Sequence, residues 1–389
     1  MTAAEIKRPR DLSIDFIRVI ACLMVVMIHT AAYDFDYADP ASSQWMAQNV
    51  YDCFVRSGVP LFFMLSGIVY LQKEEITVSY IWKKILRLLI VYILFYVIYK
   101  AFEVRHELMR DPLYLLEALR WGHFPHFHLW FMPELAAIYI MLPFIHHCAH
   151  TKPELAKYYL LVFFIFSVIK TTVLKIPGFP EPAAQYIHVF TRVQLIDYAG
   201  YFVLGWYLNE KIRQNSSRNE TVQYPARDCT RRLSIEPEGT VPSEQLPRNK
   251  KTALCMAAVF LSSVLIMAVL TRSVSMRSGK PDIRWYDNFT IFTFCEAVSL
   301  FCLLKFAYAR GAGFFEKPRT GKVLSLISSC SFFIYLIHPL VIDLVAHFKL
   351  TPVRYNLWIS IPLFTLLYWF ISLVVALVVR KIPGLRSLF

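Results

Sequence analysis

Charge is scarce in this chain of 389 residues: Asp, Glu, Lys and Arg together make up 18%, where a soluble globular domain carries about 25%. That scarcity, beside 57% hydrophobic residues and 16% aromatics, excludes a disordered or collagen-like chain and argues against a soluble enzyme of one or two domains. The mean hydropathy of +0.45 points the same way. Glycine is scarce too, at 12 residues. Only a few (Gly67, Gly200, Gly205) fall inside apolar runs, which argues against a transporter built on paired glycine-broken helices. The eight cysteines contain no Cys-x-x-Cys pair. Six of them (Cys22, Cys148, Cys255, Cys295, Cys302, Cys330) sit in or beside apolar runs and read as small buried hydrophobes rather than disulfides or zinc ligands.

What the chain does have is long apolar runs. Ten stand out, at about 13–33, 52–71, 85–102, 128–147, 158–175, 190–208, 252–271, 288–308, 324–345 and 357–379. Each is long enough to cross a hydrocarbon core about 30 Å thick at 1.5 Å per residue. Hydrocarbon obliges the backbone to satisfy itself, so the expected fold is all-α: a polytopic integral membrane bundle of about ten transmembrane helices. The first run is too long for a signal-peptide core and lacks a small-x-small cleavage site before Asp34.

The net charge of +13 would suggest nucleic acid in a soluble protein. Here the basic residues are spread over many loops, and their asymmetry reads as topology. With the N-terminus in the cytoplasm, the inner segments hold 26 Lys and Arg and the outer loops 13. This puts both termini inside and removes nucleic acid as a partner. The first outer loop is acidic instead, with Asp34, Asp36, Asp39 and Asp52 against Arg56. Residues 211–250 are polar and proline-bearing and read as a cytoplasmic linker within one membrane domain spanning 1–389.

The informative residues are the ionisable ones inside the runs: Asp15, Arg18, His29, Glu134, Arg192, Asp197, Glu296, His338 and Asp343. Each costs a few kcal/mol at mid-membrane on insertion scales, so a role is the default reading. Arg18 and His29 share a helix face and lie about 16 Å apart along the axis. Asp15, one turn from Arg18, is placed to pair with it. His29 reads either as a packing histidine bonded to a carbonyl or as a general base or acyl-handling group. Lys84 and Arg87, one turn apart at the start of the third run, are either flanking charges or a phosphate site for a soluble donor. Trp130 fits an interfacial belt. Glu134, just after Pro133, either orients a histidine and takes a proton or sits in a buried ion pair. Arg192 and Asp197 read as a structural charge pair. His123, His126 and His128 have no Cys or acidic ligand spaced with them, which argues against a metal. Ser66-Gly67 marks a close-packing site, and no G-x-S-x-G elbow surrounds the serine.

Taken together, these residues resemble the membrane acyltransferase 3 family over nearly the whole chain except the 211–250 insert. The family's first span carries an arginine, ten residues, then a histidine, as Arg18 and His29 do here. Its third span opens on a basic pair two residues apart, usually two arginines, where this chain has Lys84-Ile-Leu-Arg87. Lys84 departs from that pattern and lacks arginine's two-pronged phosphate contact. Val59-Pro-Leu-Phe-Phe-Met-Leu-Ser66-Gly67, His128-Leu-Trp130-Phe131 and Ile334-Tyr335-Leu-Ile-His338 look like further family landmarks. The first-span sequence around Ile20–Thr30 and the Val-Pro-Leu-Phe-Phe-Met block are most similar to the branch containing the enterobacterial common antigen O-acetyltransferase.

The resemblance implies a multi-pass enzyme of the bacterial inner membrane. It would transfer acetyl, or another short acyl group, from cytoplasmic acyl-CoA to a hydroxyl of an extracytoplasmic or lipid-linked glycan. His29, Arg18 and Glu134 would form its catalytic set, and Lys84, Arg87 and Trp130 would bind the donor. Asp15, Ser66, His128 and His338 would support them, with acyl-CoA as co-substrate and no bound cofactor or metal. Membrane lipid and a second copy of the chain are the other partners it suggests. Two alternatives use the same intramembrane charges: a transporter or flippase for a lipid-linked sugar or small anion, or a non-catalytic member of an envelope-assembly complex.

Overall fold

A computed structural model describes residues 10–111, 113–121, 126–180, 197–223 and 250–385. The described residues are helical, without strands. The helices are α1 (Leu12–Ala31), α2 (Ser43–Val55), α3 (Gly58–Leu71), α4 (Val78–Glu103), the short α5 (Arg105–Leu108) and α6 (Tyr114–Trp121), and α7 (Phe131–Thr151). They continue with α8 (Pro153–Phe163), which runs through a π turn into α9 (Lys170–Leu174), then α10 (Asp197–Gln223), α11 (Lys250–Ser278), α12 (Ile291–Phe315), α13 (Pro318–His347) and α14 (Leu357–Val379). Among the described residues nine stretches are long and apolar enough to cross a membrane. The sixth run, 190–208, begins outside the described residues and continues as the first half of α10. The protein is thus a multi-pass helical membrane protein.

Local chemistry sets the helix ends. Asp11, Ser42, Thr77, Thr290 and Asn356 each accept a first-turn amide, at 2.8–3.4 Å, satisfying donors that a helix start leaves open. Pro153 and Pro318 open α8 and α13, where a missing N–H costs nothing.

Two boundaries differ from the apolar runs. The second crossing starts at Ser43, not near residue 52, and is built from α2 and α3 in succession. Asp52 and Arg56 therefore belong to the membrane crossing rather than the first outer loop. The polarity of Ser43, Gln44, Gln48 and Asn49 hides the start of this crossing from a reading by hydropathy. At the other boundary, α10 runs on to Gln223, so residues 211–223 are helical where a linker was expected. The rest of that linker, 224–249, lies outside the described residues, as do Arg192 and His123.

α1 is the hub. It packs against α2, α3, α12, α13 and α14, and Ile17, Ala21, Cys22, Val25 and Val26 along it are buried. The outward faces of α4, α11 and α14 expose Leu86, Leu89, Ile93, Leu261, Leu265, Leu363 and Phe370, side chains suited to lipid. Helices in lipid associate by close packing rather than by a hydrophobic drive, so small residues matter at their contacts. Gly67 of α3 and Gly205 of α10 are the clearest case. A Cβ on Gly67 would overlap the Phe202 carbonyl, and one on Gly205 would overlap the Met64 backbone. Gly67→Ala is therefore expected to wedge α3 from α10 and lower the thermal unfolding temperature of the detergent-solubilised protein by about 5 °C or more. Gly313→Ala, where nothing lies within 4 Å of the added carbon, should leave it unchanged.

Candidate active site

A cavity of about 780 Å³ opens inside the bundle, walled by α1, α3, α4, α7, α10, α13 and the turn before α12. Arg18, Lys84, Arg87, Ser328 and Ser329 line one end, and His29, Arg56, His128, Trp130 and Tyr286 line the other. On the orientation expected from the loop charges, the first is the cytoplasmic end and the second the outer one.

Helix phase explains who reaches the cavity. On α1, Arg18, Val25 and His29 line it, and steps of seven and four residues keep to one face. On α7, Phe131, Leu135 and Tyr139 line it at every fourth position. Glu134 is one residue, about 100°, off that stripe and is not a cavity wall. It stands half-buried on the flank of α7 nearer Asp197. Of the sequence-derived candidates, the cavity thus gathers His29, Arg18, Lys84, Arg87, Trp130, Ser66 and His128, and leaves Glu134 outside. Asp15 and His338 stand directly behind the wall.

At the inner end Asp15 is the organising acceptor. Its carboxylate is buried and receives Arg10 Nε at 2.5 Å and Nη2 at 2.9 Å, Ser325 Oγ at 3.1 Å and Ser328 Oγ at 2.6 Å. Arg18 Nη1 lies 3.6 Å from the same carboxylate and donates to Ser328 Oγ at 3.4 Å. This ties α1 to α13 and leaves the guanidinium of Arg18 against the cavity. Lys305, counted among the inner loop charges, is instead fully buried in α12. Its ammonium donates to Ser13 Oγ at 2.7 Å and lies 3.6 Å from Asp11.

At the outer end a proline shapes the imidazoles. Pro339 interrupts α13 and has no N–H to give the Tyr335 carbonyl one turn back. His338 Nδ1 donates to that carbonyl instead, at 2.7 Å. The Leu336 carbonyl accepts from Tyr99 Oη at 2.8 Å and from His128 Nε2 at 3.2 Å. Because a carbonyl only accepts, these bonds fix the proton of His338 on Nδ1 and leave Nε2 bare. That Nε2 is buried and has no partner among the described residues. The His29 ring lies 5.0 Å from the His338 ring, and the His128 ring 5.7 Å. His128 Nδ1 meets His126 Nδ1 at 3.0 Å. Burial pushes the His126 imidazole, in the outer loop, below its ordinary value, against the pull of Glu103, so a neutral ring with one N–H suits that contact. Among the described residues no three His, Cys, Asp or Glu side chains come together as metal ligands.

Ser66 lines the cavity but donates its hydroxyl to the Phe62 carbonyl at 2.9 Å, which commits its proton to the backbone. Sequence reasoning missed Arg56. It is a cavity wall, paired with Asp52, and the signal was the acid–base spacing of four residues. Behind it lies Glu296, fully buried, its oxygens without a hydrogen-bond partner among the described residues.

This is a polytopic membrane protein whose interior encloses a cavity cationic at one end and lined by imidazoles at the other. The comparison with known families makes it specific. Residues 11–381 match the family model described as an acyltransferase domain, and the chain belongs to the acyltransferase 3 family. It is a multi-pass membrane acyltransferase. No curated protein and no solved structure matches the chain.

The inner network carries its own test. Asp15→Ala strips a buried acceptor from two arginines and two serines, and should cost about 2–4 kcal/mol of stability. Arg10→Ala, whose side chain is 51% exposed, should cost about 1 kcal/mol or less. Thermal unfolding in detergent, followed by circular dichroism, reads both.

Proposed function

We propose that this acyltransferase moves an acyl group, acetyl in the first instance, from cytoplasmic acyl-CoA to a hydroxyl of an extracytoplasmic or lipid-linked glycan in the bacterial inner membrane. The observation that carries the reading is the single cavity holding Arg18, Lys84 and Arg87 at one end and His29 at the other. Phosphates of the donor meet the cations at the inner end. Arg87 offers a planar two-pronged donor and Lys84 a point charge. Arg18 and His29 are about 16 Å apart along α1, a distance for an extended pantetheine arm to bridge, so the thioester comes to rest near His29.

His29 acts there as general base. It takes the proton of the acceptor hydroxyl as the oxygen attacks the thioester carbon, and returns that proton to the departing thiolate. Trp130, at the end of the cavity away from Lys84 and Arg87, belongs with the acyl group and the acceptor rather than with the phosphates. His128 and His338 hold the outer wall around His29. Glu134 has no part in this scheme. The likeness of the first and second spans to the enterobacterial common antigen branch supports a surface glycan as the acceptor class.

Acyl transfer is measured with radiolabelled acetyl-CoA in native membranes that contain the acceptor. His29→Ala should lower kcat at least about 100-fold, and full activity at normal expression would remove His29 from the chemistry. Lys84→Ala with Arg87→Ala should raise the KM for acetyl-CoA about tenfold or more with a smaller change in kcat. An unchanged KM would remove the pair from the donor site.

A further inference from the structure

Arg18 is the arginine that the first-span spacing pairs with His29, yet it cannot share reacting atoms with it. Eleven residues separate them on one helix, about 16 Å of rise, and Arg18 is tied to Asp15 and Ser328 at the inner end. A different cation stands at the depth of His29. α2 and α3 descend antiparallel to α1, and their junction is pinned against it at Gly58. A Cβ there would meet Met24 Cβ at 2.9 Å and Val25 Cγ2 at 3.4 Å. Arg56 lies two residues to the outer side of Gly58, and His29 four residues to the outer side of Val25. The two are therefore within about one helical turn of the same depth, and both line the one cavity.

Arg56 is held as a group with a task would be held. Its Nη2 donates to Asp52 Oδ2 at 2.7 Å. Nε lies 2.6 Å from Asp52 Oδ1, an ion pair whose N–H points off the hydrogen-bond line. The guanidinium plane is backed by the Tyr286 ring, 4.5 Å from its carbon. Tyr286 is anchored in turn by donating to Asn49 Oδ1 at 2.6 Å, and Asn49 donates to the Ala268 carbonyl at 2.9 Å. Asp52 is 2% exposed, while 19% of the Arg56 side chain stays open in a residue that walls the cavity. Nη1 has no acceptor among the described residues. An arginine kept in mid-membrane, braced on two sides, with one edge left open to a cavity, is a donor waiting for an acceptor.

The geometry points to Arg56 as a catalytic residue: its Nη1 donates to the thioester carbonyl oxygen and stabilises the oxyanion that forms beside His29. The assignment rests on the reading of His29 as general base. In the step, the acceptor O–H breaks and its proton passes to His29. The new C–O bond forms, and the carbonyl pair moves onto the oxygen facing Arg56. As that pair returns, the C–S bond breaks and the thiolate takes the proton from His29. An alcohol and a thioester go in, and an ester and a thiol come out. Arg56 gives up no proton and serves the charge that exists only in the tetrahedral intermediate.

The test must separate this from a purely structural ion pair, because Arg56→Gln alone strands Asp52 as an unpaired buried charge. The double variant Arg56→Gln with Asp52→Asn removes both charges and keeps neutral hydrogen-bonding groups. Acyl transfer from radiolabelled acetyl-CoA is measured in native membranes, with the folded fraction taken from size-exclusion chromatography in detergent. The expected result is a folded double variant with kcat down about 100-fold and a KM for acetyl-CoA within about twofold of the original. A folded double variant at the original rate would overturn the proposal, and so would one in which only the KM rises. Should the double variant not fold, Arg56→Lys decides. It keeps the charge against Asp52 but cannot hold Asp52 and present a free edge together, so kcat is expected to fall, and a full rate overturns the proposal. His29→Ala, run in parallel, reports on the base itself, so the two assignments fail separately.

Discussion

Hydrocarbon tolerates an ionised side chain only where a partner or an aqueous cavity takes up its field, and this protein is arranged around that constraint. The charges at the inner end of α1 are answered across helix boundaries. Asp15 gathers Arg10, Arg18 and two serines of α13. Lys305 of α12 reaches the start of α1. The same bonds that pay the cost of desolvation position α1 among its neighbours, and so fix the cavity between them. Where a charge keeps an open edge, as Arg18 and Arg56 do, that edge faces the cavity. Structure and chemistry therefore depend on the same residues.

The cavity is polar along its length in a graded way. Its inner end concentrates arginine and lysine, suited to phosphate. Its outer end carries imidazoles and aromatic rings, with Arg56 balanced by Asp52. In the proposed reaction the inner end suits a polyanionic donor, and the outer end, with little net charge, suits a hydroxyl-bearing acceptor. Pro339 contributes by subtraction. By withholding one backbone N–H from α13 it gives His338 Nδ1 a carbonyl to bond, and this fixes a tautomer next to His29.

Much of this was legible in the chain itself. Apolar runs of about 20 residues can hardly be anything but crossings, and the last run coincides with α14 at Leu357–Val379. The Arg18–His29 spacing and the Lys84–Arg87 spacing are helical periods, so their shared faces followed from the 3.6-residue repeat. What hydropathy could not convey was a charged pair inside a crossing. Ser43, Gln44, Gln48 and Asn49 lower the local average, which moves the apparent start of the second crossing to Asp52 and sets the Asp52–Arg56 pair at its edge, where it reads as loop charge. Lys305 was hidden for another reason, since its partner Ser13 is 292 residues away in sequence. Glu134 sits beside cavity residues in sequence but about 100° from them in helical phase, a distinction that needs the cavity to be known.

In the proposed reaction one cavity joins a donor at the cytoplasmic end to an acceptor at the outer end. Sealed inverted membrane vesicles, whose outer surface is the cytoplasmic face, test it most directly. Radiolabelled acetyl-CoA, which does not cross the bilayer, is added outside, and label is followed into glycan enclosed in the lumen. Labelling of lumenal glycan, lost in His29→Ala vesicles, is the expected result. Labelling only when acetyl-CoA is delivered to the lumenal face would rule out a donor bound at the cytoplasmic end.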